Sequence, residues 1–237
     1  MSENRIGMAL VADLLEASRI GAAGAAEAEI PAALRGHRLG AGSAARAPAP
    51  LSPARVDAVL QARKSVRTFS SRPVPAGAIG ASVDAGIAAD RELWPEENAG
   101  GVDIELVLVA WSVDGLEPGV YVREGESFRF VKQPPERGAR GSVTLQRGLQ
   151  AAPALLLASG NLLASCARHG DHGYRLLLSR AGAACHTAWL AAIDQGLAGV
   201  AFAGFQPAAA RYIFGPSMAR RQLFALALGC PPAEATP

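Results

Sequence analysis

Residues 170–205 read GDHGYRLLLSRAGAACHTAWLAAIDQGLAGVAFAGF, and this stretch determines how the rest of the chain is organised. Apolar residues recur at helical spacing from about residue 174 to residue 195, and Gly196 then suits the left-handed end of a helix. The predicted apolar stripe consists of Tyr174, Leu177, Leu178, Ala181, Cys185, Ala188, Trp189 and Ala192. A short apolar strand at residues 200–202 follows. The segment predicts a long core helix, a tight turn and a strand.

Helices and strands alternate on the N-terminal side of this segment. Ser52 and Pro53 form a good helix start, and an apolar face continues to Gln61. Further elements are predicted as a helix at 76–89, a strand at 103–111, a hairpin at 119–130 around Glu124-Gly125, and strands at 154–158 and 223–228. This order predicts an α+β fold with a mixed or antiparallel central sheet flanked by helices.

The first 50 residues differ in composition from the remainder. Residues 6–19 have helical spacing, whereas residues 36–50 are rich in Gly, Ala and Pro and are typical of a linker or loose arm. Two parts are therefore expected: an N-terminal helix and arm at 1–50, and one main domain at 51–237.

Composition excludes several classes of function. The net charge is +2 with both signs interspersed, and aromatic residues make up 5%, so a nucleic-acid surface is not expected. Three scattered cysteines are typical of a reducing compartment. The N-terminus carries acidic residues, and no uncharged apolar run is long enough to span a membrane. A cytoplasmic protein without a membrane partner is expected.

The first candidate site is the basic segment RKSVRTF at residues 63–69. Arg63, Lys64, Ser65 and Arg67 arrive together where the first main-domain helix ends. Arginine and serine donors suit a phosphate, because guanidinium groups make charge-assisted, bidentate hydrogen bonds. The alternative is a solvated basic helix end, which favours the helix dipole without any ligand.

Two further clusters flank the long helix. His169, Asp171 and His172 invite a metal interpretation, but no further ligands follow at a recognised spacing, so no metal is expected and Asp171 is interpreted as a helix cap. After the helix, the backbone N–H groups of residues 202–204 are suited to a planar ligand. A plain strand-to-loop junction has the same sequence.

Taken in order, these segments resemble the nitroreductase-like flavoenzyme superfamily, and more narrowly its azoline dehydrogenase (SagB-like) branch. The resemblance covers about residues 51–230. It consists of the RxSxRxF pattern at 63–69, the hairpin GVYVREGESFRFV, and the stretch from residue 170, which is similar to the family's GDRGYRYALLEAGHxAQNLYLAAxxLGLGxVxxGGF. The resemblance implies a nitroreductase-like fold and a homodimer with its flavin at the dimer interface.

The resemblance also implies FMN as cofactor. Arg63 and Ser65 would hold its phosphate, Arg67 would reach the pyrimidine edge of the flavin, and the backbone at 202–204 would lie near its reactive edge. The family's C-terminal cation has only Arg220 or Arg221 as candidates. The implied cofactor-binding residues are Arg63, Lys64, Ser65, Arg67, Phe202, Ala203, Gly204 and Arg221.

The sequence departs from the azoline dehydrogenases at their catalytic Lys-Tyr pair, which here reads Arg168-His169. Histidine can act as a general acid or base near neutral pH, so His169, with Arg168, is the candidate for proton transfer. Inside the long helix, Arg180 replaces the family's glutamate and His186 its glutamine.

Three functions remain open. The first is an FMN-dependent dehydrogenase that tailors a peptide-derived natural product. The second is an NAD(P)H-dependent reductase of nitro, quinone or ene substrates. The third is a catalytically inactive docking subunit of a maturation complex.

Overall fold

The computed structural model describes residues 53–137, 143–215 and 219–232. The helices, numbered in chain order, are α1 Pro53–Ala62, α2 Ala76–Leu93, α3 Pro95–Ala99, α4 Leu162–His169, α5 His172–Asp194 and α6 Pro207–Phe214. The strands are β1 Val74–Pro75, β2 Ile104–Ala110, β3 Val113–Asp114, β4 Gly119–Glu124, β5 Ser127–Lys132, β6 Ala154–Asn161, β7 Ala198–Phe202 and β8 Arg220–Gly229. The predicted helix at 6–19, the arm at 36–50 and the domain start at Leu51 lie outside the described residues.

Six of the strands form one sheet in the order β5-β4-β2-β6-β8-β7, and every pairing in it is antiparallel. The prediction of a mixed or antiparallel sheet is thereby confirmed in its antiparallel form. The short strands β1 and β3 make a separate parallel pair. The sheet follows from near-continuous apolar runs in β2 and β6, which are buried on both faces.

Each face of the sheet has its own apolar layer, because successive strand residues point to opposite sides. Ile104, Leu106 and Leu108 of β2 belong to the layer with α2 and α5. Val107 and Val109 belong to the layer with α6 and residues 143–152. The helices therefore flank the sheet as predicted.

Helix α5 occupies the predicted position. It is followed by Gly196, whose φ of 77° is the expected left-handed turn. Tyr174 was predicted on the buried stripe, and that assignment is wrong: the side chain is 48% exposed. The inward position at this turn belongs to Gly173, where a Cβ would lie 2.4 Å from the carbonyl oxygen of Ser165 in α4. Asp171 takes the N-cap position without a side-chain capping bond.

Close packing of α2 on α5 depends on Gly86. A Cβ at this position would lie 2.6 Å from the carbonyl oxygen of Ala184. The close approach on the α5 side therefore occurs at Ala184, whereas a Cβ added at Gly182 would have no neighbouring atom within 4 Å.

The same helix pair buries a charge. Arg180 is fully buried, and its Nε and Nη2 atoms donate to the carboxylate of Asp90 at 2.9 and 2.8 Å. Helix α5 is long and apolar enough to span a membrane by composition alone. Its buried residues instead belong to the core layer shared with α2 and the sheet.

Candidate functional site

A mismatch in length between β7 and β8 opens a cavity at the edge of the sheet. The pairing of β7 with β8 ends at Phe202 and Ala225, whereas β8 begins five positions earlier at Arg220. The chain leaves the sheet after Phe202 to form α6. A cavity of about 630 Å³ lies in the resulting space, and its walls include Leu145, α6 and the first residues of β8.

The cavity brings three predicted cofactor residues together. Ala203, Gly204 and Arg221 all line it. Phe202 is buried against Phe205, with ring centroids 5.8 Å apart, so its side chain is part of the core. The neighbouring Arg220 is a structural residue, because its Nη2 donates to both carboxylate oxygens of Asp103 at 3.0 Å.

Gln222 is a cavity residue that the sequence did not indicate. Its Nε2 and Oε1 atoms are both buried, and neither has a hydrogen-bond partner among the described residues. Buried polar groups in proteins are nearly always paired, so this amide is an exception within the described chain.

The basic segment lies at the other end of β7. The Val66 amide donates to the carbonyl of Gly199 at 2.9 Å, and Ser65 bridges the same residue in a parallel arrangement. The side chains of Arg63, Lys64, Ser65 and Arg67 are all exposed. The segment therefore extends the sheet edge and presents three cations and a hydroxyl to solvent.

The ring of Trp189 packs against the basic segment. The Arg63 guanidinium lies 5.1 Å from the centroid of the Trp189 ring, within cation–π range. The Trp189 indole nitrogen is buried and has no acceptor among the described residues. A Cβ at Gly199 would lie 3.2 Å from that nitrogen and 2.8 Å from the carbonyl oxygen of Ala227. An unpaired donor thus lies beside the basic segment.

The two ends of the site belong to one strand. Gly199 and Ala203 are four residues apart, which is about 13 Å in an extended strand. An elongated ligand lying along β7 can therefore contact the basic segment at one end and the cavity at the other.

Arg168 and His169 form a separate cluster. His169 Nε2 lies 2.8 Å from Glu97 Oε2, and Arg168 Nε lies 3.6 Å from the same oxygen. A Cβ at Gly100 would lie 2.5 Å from Arg168 Nη1, so α3 and the end of α4 are in close contact. Within the described chain neither residue lines the cavity. Glu97 was not predicted, because it lies 72 positions away from its partner.

The three cysteines are free thiols, and none is among the residues that line the cavity in the described chain. Cys185 is buried in α5, and burial raises its pKa to about 12, because it disfavours the thiolate.

Comparison with known proteins identifies relatives of this fold. The family model described as the nitroreductase family matches residues 60–230. A candidate nitroreductase from Ralstonia eutropha has a TM-score of 0.63 at 17% identity, covering 81% of this chain and 90% of its own. One from Anabaena variabilis has a TM-score of 0.62 at 21% identity over 75% of this chain, which spans only 38% of that protein. A candidate NADH dehydrogenase/NAD(P)H nitroreductase from Bacteroides thetaiotaomicron has a TM-score of 0.51 at 19% identity, covering 79% of this chain and 92% of its own. A search of curated proteins finds no match.

Proposed function

This chain belongs to the nitroreductase family, and from that premise we propose that it binds FMN and is an FMN-dependent oxidoreductase. Membership of the family makes it an oxidoreductase. The observation that carries the cofactor proposal is the arrangement along β7, where the basic segment lies at Gly199 and the lined cavity begins at Ala203.

The basic segment fits the phosphate end of FMN. Arg63 and Ser65 would hold the phosphate, with Lys64 adding charge. Charge-assisted hydrogen bonds from guanidinium to phosphate are about twice as strong as neutral ones. Arg67, two residues further along the segment, would face the flavin ring.

The cavity end fits the ring system. Bound FMN would supply hydride transfer at its N5 atom. Ala203 and Gly204 would present backbone groups to that edge, since both line the cavity where the chain leaves the sheet. Gly204 has only Leu145 atoms near a built Cβ, at 3.8 and 3.9 Å, so its backbone is accessible to a planar ligand. Arg221 lines the same cavity and adds positive charge.

An absorption spectrum tests the cofactor proposal. The purified protein is expected to show flavin bands and to release FMN on denaturation. Arg63→Ala should weaken FMN binding by about 10- to 100-fold, because it removes a charge-assisted contact. Arg72→Ala is the matched control, since it removes an exposed cation outside the basic segment. Equal flavin affinity in the two variants would remove the phosphate assignment.

We propose that the substrate is oxidised and is a peptide-derived natural product, as the resemblance to azoline dehydrogenases implies. His169 is the candidate proton acceptor, and its hydrogen bond to Glu97 orients the imidazole as a carboxylate does in other acid–base pairs. His169→Phe should slow turnover while FMN stays bound. His186→Phe, which changes an exposed histidine of α5, is the control. Equal turnover in both would take His169 out of the reaction.

An NAD(P)H-dependent reductase is the second candidate, and the position of His169 favours it. Within the described chain this residue does not line the cavity, and hydride delivery from a nicotinamide requires no protein base. Rapid bleaching of the flavin by NADPH without oxygen would support the reductase. Stable flavin absorbance under NADPH would support the dehydrogenase.

A homodimer is proposed with either chemistry. The side chains of the basic segment project from the sheet edge into solvent, and a second copy would cover a ligand held there. Sedimentation of the FMN-loaded protein should give twice the 24.4 kDa chain mass. A colourless monomer that takes up no FMN and copurifies with a partner would instead indicate the docking subunit of a maturation complex.

A further inference from the structure

A second cavity, of about 510 Å³, lies between α6 and the segment that follows β5. Its lining residues are Gln133, Pro134, Pro135, Glu136, Ala208, Ala209 and Tyr212. Arg211 and Phe214 of the same helix line the first cavity, so α6 separates the two. We infer that the second cavity binds residues 46–50 of this chain, Arg-Ala-Pro-Ala-Pro, which lie outside the described residues.

The walls of the second cavity are held in place by contacts within the protein. Tyr212 Oη donates to the carbonyl of Gln133 at 3.1 Å, and Lys132 Nζ lies 5.2 Å from the centroid of the Tyr212 ring. Trp111 Nε1 donates to the carbonyl of Pro135 at 3.3 Å. The binding surface is therefore already formed, and a ligand does not have to order it.

The chemistry of these walls matches a proline-rich segment with one cation. Such segments bind surfaces lined by aromatic side chains, because their extended conformation is already restricted before binding. The Tyr212 ring is 45% exposed, and Pro134 and Pro135 add a rigid apolar wall. Glu136 is the one charged side chain among the described lining residues.

Residues 46–50 have this composition. Pro48 and Pro50 alternate with alanine, and Arg46 supplies a guanidinium at one end. A guanidinium makes charge-assisted hydrogen bonds to a carboxylate, so Arg46 is complementary to Glu136. The proposed cofactor site uses no residue of this segment, and the inference therefore goes beyond the proposed function.

The described chain begins at the same end of the sheet as the second cavity. Arg55 of α1 is paired with the last residue of α5, and β7 follows directly. From Gly199 in β7, one row of paired residues crosses β8 and β6 to Ala110, the last residue of β2. The next residue, Trp111, holds Pro135 at the cavity wall. The start of β7 and this wall are therefore about three strand spacings apart.

The chain before α1 is long enough to cross this distance. Three strand spacings amount to about 14 Å. Residues 46–52 cover up to about 23–25 Å when extended. Arg46 can therefore reach the cavity from α1 of the same chain.

Limited trypsin digestion of the full chain tests the inference. Binding protects the bond after Arg46, and cleavage after Arg38 is the internal reference. Tyr212→Ala should raise the ratio of Arg46 to Arg38 cleavage by about 5- to 30-fold, because it removes the aromatic wall. Phe130→Ala is the matched control, since its ring is 47% exposed and does not line the cavity. Equal ratios in the wild type and Tyr212→Ala would overturn the inference.

The charge contact is tested by the same ratio. Glu136→Gln should raise it by about 2- to 5-fold, a smaller effect because exposed ion pairs contribute little. Glu126→Gln, which changes an exposed acid in the turn between β4 and β5, should leave it unchanged. Equal effects of the two substitutions would contradict the pairing of Arg46 with Glu136.

Disulfide formation identifies the chain that supplies the segment. The background is Cys166→Ser, since the other two cysteines are buried. Ala47→Cys with Gln133→Cys should form an intramolecular disulfide at least about 10-fold faster than Ala47→Cys with Ser127→Cys, at the other end of β5. Equal rates for the two pairs would overturn the inference. A covalent dimer would also overturn it, by assigning the segment to a second copy.

Discussion

The ion pair between Arg180 and Asp90 places a charge in the centre of an otherwise apolar helix contact. Arg180 also donates from Nη1 to the carbonyl of Val102 at 2.8 Å, so one guanidinium joins α2, α5 and the segment that precedes β2. The partner carboxylate of Arg180 comes from α2.

Asp90→Ala should lower the free energy of unfolding by about 3–5 kcal/mol, because it leaves the buried Arg180 charge without a counterion. Urea denaturation followed by circular dichroism measures the change. Glu124→Ala is the control, since it breaks the half-exposed pair with Arg129 and should cost less than about 1 kcal/mol. Equal losses in both variants would contradict the interpretation.

Thiol reactivity provides a second test at single residues. Cys166 is only partly buried, whereas Cys185 and Cys230 are buried. A disulfide reagent should therefore modify one thiol in the native protein and three in urea, and Cys166→Ser should abolish the native reaction. Fast native modification of Cys185 would contradict the packing of α5.

The rate at which the disulfide reagent modifies Cys166 should depend on pH in a predictable direction. Burial raises the pKa of Cys166, because desolvation disfavours the thiolate. Near neutral pH the thiolate fraction is therefore smaller than that of free cysteine, and the reaction is slower. Its rate should continue to rise with pH beyond the point at which free cysteine levels off. A rate equal to that of free cysteine at pH 8 would contradict the burial.

Contacts between residues far apart in the sequence could not be predicted, whereas local patterns could. Arg63, Ser65, Ala203 and Gly204 were identified from local patterns, and the structure arranges them along one strand. The pairing of His169 with Glu97 was not predicted, because it depends on how α3 packs against α4. The buried amide of Gln222 was missed for a similar reason, since only the early end of β7 determines its surroundings.

Among the elements, those that end at a glycine suited to a turn were predicted best. Gly196 ends α5, and Gly125, with φ 56°, makes the turn between β4 and β5. Helices α4 and α6 were not predicted, although each has a start signal. The Asn161 side chain accepts from the Ala164 amide at 3.0 Å, and Pro207 opens α6. Both helices have only 8 residues, so each offers about two turns over which an apolar period can be recognised.

The contact between α2 and α5 predicts opposite effects for two glycine substitutions. Gly86→Ala should destabilise the protein by about 1–3 kcal/mol, because the added methyl meets the Ala184 carbonyl. Gly182→Ala should stabilise it by about 0.5–1 kcal/mol, because alanine favours helix and its methyl meets no atom within 4 Å. Thermal unfolding of both variants measures the difference, and the same sign for both would refute this packing.

At the scale of the whole molecule, the proposed cofactor should be visible as stability. FMN at about 100 times its dissociation constant adds about 2.7 kcal/mol, which is roughly 5–10 °C in Tm for a chain of this size. Riboflavin, which lacks the phosphate, should raise Tm less. Arg63→Ala should reduce the FMN effect without changing the riboflavin effect. Equal responses to the two flavins in the wild type would argue against a phosphate site at the basic segment.

Because β7 ends before its partner strand does, the size of the cavity depends on the length of the loop that follows Phe202. The space beside the first residues of β8 exists because the chain turns away from the sheet after Phe202. An insertion that kept the chain paired for three more residues would bring the pairing to Gln222, whereas a deletion would expose more of β8. Insertions and deletions at this one loop can therefore alter which molecules the scaffold accepts, with every core side chain kept.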